Sequence, residues 1–130
     1  MRGPLMKKTV LVVEADAEER DRYGNWLEDA GFEVLACPGP RGPTYTCVGG
    51  KTGTCALAKG ADLVILDTSL PGDDLWEGTP ATELITLYSS LGKPVVAVAT
   101  LRSDIIPPGS WIRWPPLREE LICAVEESSR

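Results

Sequence analysis

The chain has no histidine, no close pair of cysteines and no excess of positive charge, and each absence removes a class of function. Without histidine a structural zinc centre would rest on cysteine alone, yet Cys37, Cys47, Cys55 and Cys123 show none of the C-x2-4-C spacings such centres use. Lys and Arg number 13 against 19 Asp and Glu, a formal charge of −6, so the basic stripe that holds a nucleic-acid backbone is missing. No stretch approaches the roughly 20 apolar residues of a membrane span, and Met1 to Lys8 lacks a signal-peptide core. The expectation is a cytoplasmic protein that binds neither nucleic acid nor membrane. Its 130 residues suit a single domain, 1–130, able to bury a core without staples.

What is present is an alternation of strand and helix periods. Thr9-Val10-Leu11-Val12-Val13 reads as a buried strand running into Glu14-Ala15-Asp16. Residues 17–30 carry Tyr23, Trp26, Leu27 and Ala30 at helical spacing, with Asp16 placed to cap the start and Gly31 to end the helix. A second strand is predicted over 32–36. Prolines and glycines then crowd 38–54, which excludes a regular helix over most of that span and leaves about one turn at 55–59. The segment 38–60 thus reads as an irregular insertion where a crossover helix was due. Leu63-Val64-Ile65-Leu66 is the third strand and ends on Asp67. A helix over 79–91, with Pro80 in its first turn, leads to a fourth strand over 94–99, and 110–113 makes a fifth. Leu117, Leu121, Ile122 and Val125 stripe a closing helix with Glu119 and Glu120 near its N-terminus. This alternation is the pattern of a parallel α/β sheet, and right-handed crossovers bring the first, third and fourth strand ends together. In such sheets ligands collect at the carboxyl ends of the strands, where Glu14 and Asp67 stand.

The segments Val10 to Asp16, Asp62 to Gly72 and Val95 to Thr100 resemble three signatures of the bacterial response-regulator receiver domain. The resemblance covers nearly the whole chain. It implies a flavodoxin-like three-layer sandwich around a five-stranded parallel sheet. It further implies that Asp67 is the phosphoacceptor, that Thr100 is the switch hydroxyl on the acyl phosphate, and that Mg2+ is held by Glu14, Asp16, Asp67 and the backbone carbonyl of Ser69. A histidine kinase or a downstream effector would be the partner. With no attached output domain, the response is expected to pass through that partner or a second copy of the chain.

The chain departs from the family pattern in places that bear on the chemistry. The second of two adjacent acids after the first strand falls on Ala15, with Asp16 one position later. The fifth-strand lysine falls on Trp114, and Arg113 beside it should face the opposite side unless a bulge turns it inward. Residues 101–109 leave room for only a short fourth helix or none, with Pro107-Pro108 inside them. Three readings follow. The first is an atypical receiver that acts by protein contact, with phosphorylation at Asp67 absent or weakened and with no enzymatic activity beyond autophosphorylation and autodephosphorylation there. The second is an active Mg2+-dependent phosphoacceptor. The third is a thiol-based redox or metal sensor using Cys37, Cys47 and Cys55, while Cys123 reads as a small buried hydrophobe. The sequence Gly49-Gly50-Lys51-Thr52 lacks the earlier glycine of a phosphate-binding loop, Tyr45 standing there, and reads as a flexible loop. Trp76, Trp111 and Trp114 read as packing or interface residues.

Overall fold

Three apolar runs, 9–13, 63–67 and 95–99, are rich in Val, Leu, Ile and Ala and form the buried centre of a parallel sheet, while the less buried 33–37 and 111–113 form its edges. The computed structural model describes residues 8–14, 16–37, 56–67, 85, 86, 88–99 and 111–129. The elements are β1 (Thr9–Val13), α1 (Ala17–Asp29), β2 (Glu33–Cys37), α2 (Ala56–Gly60), β3 (Leu63–Asp67), β4 (Val95–Ala99), β5 (Trp111–Arg113) and α3 (Arg118–Ser128). Residues 85, 86 and 88–90 are helical and precede β4. The expectations for 38–54, for Cys47, Cys55, Ser69, Trp76 and Thr100, and for the 101–109 connection lie outside the described residues. So do the replaced second crossover helix and the shortened fourth helix.

The sheet order is β2-β1-β3-β4-β5, with every pairing parallel. The strand order reverses between β1 and β3, which is where such a sheet opens a crevice at its carboxyl edge. Alternation along the strands divides the core into two layers. Val10, Val12, Leu63, Ile65, Val96, Val98 and Ile112 pack with Tyr23 and Leu27 of α1 and Leu121 and Val125 of α3. Leu11, Val13, Val64, Leu66, Ala97 and Ala99 pack on the other side with Ala58, Ile85 and Tyr88. Each fully buried Leu or Ile contributes about 1.5–3 kcal/mol, so β3, buried along its whole length, is the main anchor of both layers. No helix among the described residues is long and apolar enough to cross a membrane.

Local chemistry sets the helix ends. Asp16 Oδ1 accepts from the Glu18 and Glu19 amides at 2.8 and 3.2 Å, satisfying two of the orphan donors of α1. The helix stops in a Schellman motif: Gly31, at φ 97°, donates to the Glu28 carbonyl and Phe32 to that of Leu27, both at 3.0 Å. The same motif at Gly92 (φ 73°) ends the helical residues before β4, with Gly92 donating to Ser89 and Lys93 to Tyr88. Phe32 is therefore tied to the helix end, and β2 begins one residue later than the apolar pattern suggested.

Candidate functional site at the carboxyl edge of the sheet

β1 and β3 pair in the register Val12 to Ile65 and Val13 to Leu66, so the next residues, Glu14 and Asp67, stand side by side. The residues two positions earlier, Val12 and Ile65, face α1 and α3; by alternation the two carboxylates face that side as well. Glu14 is 3% exposed and Asp67 2% exposed, and they are the buried charged residues among those described. Two carboxylates held together away from water favour a cation or a proton beside them and resist a further anion.

The turn that presents Glu14 is tied at three points. Its amide donates to the Cys37 carbonyl at 3.0 Å, its carboxylate accepts from the Asp16 amide at 3.2 Å, and its carbonyl accepts from Arg20 Nη1 at 2.8 Å. Asp16 is exposed and caps α1 through Oδ1. Of the four expected cation ligands, Glu14 and Asp67 are brought together, Asp16 serves as a helix cap beside them, and Ser69 lies outside the described residues. Among the described residues no three acidic or thiol side chains gather as a direct metal cluster.

The end of β5 gives the pocket no cation from Arg113. β5 is regular through its last pair, Ala99 with Arg113, so no bulge turns the side chain round. Its guanidinium lies 5.7 Å from the centroid of the Trp111 ring, and Trp111 packs against the layer opposite Asp67. Both Trp111 Nε1 and the Trp114 amide donate to the Ala99 carbonyl, at 3.2 and 2.9 Å, which fixes the backbone leaving β4. Trp114, at the lysine position of the resemblance, is 40% exposed.

Two residues of α1 belong to this site, although their spacing alone marked only a helix face. Tyr23 is fully buried in the same layer as Ile65 and Val98. Burial, then the charges of Asp67, Glu19 and Glu14, push its phenol well above its ordinary range. Among the described residues Tyr23 Oη and Glu19 Oε2 are both buried without a hydrogen bond of good geometry, although Glu19 helps hold the phenolic proton. The other Glu19 oxygen pairs with Arg22. The i, i+4 spacing of Glu19 and Tyr23 on the first turns of α1 was the available signal.

The cysteine expectations fare differently. Cys123 is exposed, not buried. The buried stripe of α3 is Leu121 and Val125, and a residue two positions from Leu121 lies on the far side of a helix; its Sγ faces Glu127 Oε1 at 3.6 Å. Cys37 is half-buried at the end of β2.

No protein-family model matches the chain, and neither does a curated protein sequence. Solved structures do. A CheY-like response regulator receiver domain from Methanospirillum hungatei superposes with a TM-score of 0.67 at 20% identity, over 93% of this chain and 92% of that one. Chemotaxis protein CheY4 of Vibrio cholerae gives 0.64 at 18% identity, over 94% and 98% of the two chains. A CheY-like receiver domain from Methylobacillus flagellatus gives 0.63 at 17% identity, over 93% and 98%. The strand order, the two core layers and these superpositions agree: the chain has the fold of CheY-like response-regulator receiver domains.

Proposed function

We propose that the chain is an atypical receiver domain of phosphorelay signal transduction that acts by contact with a histidine kinase or a downstream effector, with phosphorylation at Asp67 absent or weakened. The observation that carries this reading is the composition of the pocket: Asp67 is buried beside Glu14, while the cation nearest in sequence to the lysine position, Arg113, stacks over Trp111 on the other face. Phosphoryl transfer to a carboxylate requires the charge on the transferring group to be offset by fixed cations. Glu14 and Asp67 fit a hard divalent cation that takes oxygen ligands, and such a cation would supply part of that neutralisation. The arm that would supply the rest is a tryptophan. Display of Trp114 and Leu117, the exposed large apolar side chains among the described residues, supports action by contact.

The second reading, an active Mg2+-dependent phosphoacceptor, is favoured by the adjacency of Glu14 and Asp67. Acetyl phosphate with Mg2+ separates the two. An oxygen of Asp67 would attack phosphorus, and acetate would leave with the electron pair of the broken P–O bond. The proposal predicts little or no phosphate adduct by intact mass. Stoichiometric labelling that disappears in Asp67→Ala would establish the second reading.

A further inference from the structure

We propose that Glu19 and Tyr23 are positioning residues of the Glu14–Asp67 pocket, which hold the water shell of a hydrated divalent cation bound between those two carboxylates. The inference rests on reading that pocket as a cation site.

Direction comes first. α1 begins at the carboxyl edge of the sheet, and long helical side chains lean toward the N-terminus of their helix. The Tyr23 hydroxyl is thereby carried from the middle of α1 toward Glu14 and Asp67, on the face those carboxylates share. The charges of Asp67, Glu19 and Glu14 all act on the phenol. The side chain is fully buried, and among the described residues its oxygen has no well-formed hydrogen bond. A buried hydroxyl left in that state, beside carboxylates, is suited to a polar ligand that enters the pocket.

The class of ligand follows from the donors. Oε2 of Glu19 and Oη of Tyr23 are both hydrogen-bond acceptors, and the phenol is also a donor. Glu19 does not join Glu14 and Asp67 in a direct ligand cluster, so its action on a cation passes through water. Magnesium suits this arrangement because it keeps several of its waters and commonly takes one or two carboxylates. Arg22 holds the second oxygen of Glu19, which limits how far the carboxylate can swing.

The test is a titration of the full chain with Mg2+, followed by calorimetry and by tyrosine difference absorbance, in the parent and in Tyr23→Phe, Glu19→Gln and Asp67→Asn. The parent should bind and show a tyrosine signal. Tyr23→Phe should lose that signal, and both α1 variants should bind roughly tenfold more weakly with unchanged circular dichroism, while Asp67→Asn should not bind. Parent-like affinity in Tyr23→Phe and Glu19→Gln, with Asp67→Asn still inactive, overturns this inference and leaves the pocket reading standing. No binding by the parent overturns both. Should Tyr23→Phe fail to fold, Glu19→Gln together with recovery of affinity in Glu19→Asp carries the same decision.

Discussion

Tyr23 shows how one oxygen atom changes the role of a core residue. Its ring packs in the layer beneath β1 and β3 and lies 5.9 Å from that of Trp26, as an apolar stripe requires. Its hydroxyl lies in the field of the buried acids at the strand ends. Burial and the charges of Asp67, Glu19 and Glu14 raise the folded-state pKa, whereas in the unfolded chain the phenol ionises near its usual value of about 10. Above that pH the folded state retains a proton that the unfolded state has released, so the stability Tyr23 contributes is complete below pH ~10 and is lost as pH rises further. In urea unfolding without divalent cations, Tyr23→Phe should therefore be at least as stable as the parent at pH 7 and should lose less stability above pH ~10. A parent and a variant that decline in parallel would contradict this assignment. The stripe itself was legible from spacing. The surroundings of the hydroxyl were not, because they depend on how α1 packs across β1 and β3, a tertiary fact. Cys123 went the other way: a small, often-buried residue type, in a helix whose buried face is set by Leu121 and Val125.

At the scale of elements, the ends were read best where a single side chain or glycine decides them. Asp16 and Gly31 bound α1 as their chemistry dictates. The start of β2 shifted because the Phe32 amide is claimed by the helix that precedes it, a bond that apolar periodicity does not register. α3 is capped only in part: Glu120 Oε1 accepts from the Leu117 amide at 3.0 Å, but leucine has no oxygen to return to the first turn. Leu117→Ser would complete the reciprocal pair and should raise stability by about 1 kcal/mol, read as a higher urea midpoint at unchanged slope. Leu117 is 63% exposed, so little packing is lost. An unchanged or lower midpoint would show that the leucine is held by contacts that matter more than the cap.

For the whole molecule, the parallel α/β sheet was accessible from alternating periods, since strands that alternate with helices are joined by crossovers that cover both faces, whereas the flavodoxin-like arrangement of five strands came from the family resemblance. The juxtaposition of Glu14 and Asp67 followed from the same rule, each acid being the first polar residue after, or the last residue of, a buried strand. The place of Arg113 depended on whether β5 was regular, and the register of β4 with β5 settled it. A receiver-like scaffold thus keeps its acidic pocket while the side chain that follows β5, Trp114, carries no charge. Intact-mass analysis after exposure to acetyl phosphate and Mg2+ puts this to the sharpest test when the parent is run beside Trp114→Lys. The predicted result is a faint adduct on the parent and at least about tenfold more on Trp114→Lys, abolished when Asp67→Ala is added. Full labelling of the parent at Asp67, with no gain from the lysine, would contradict the account.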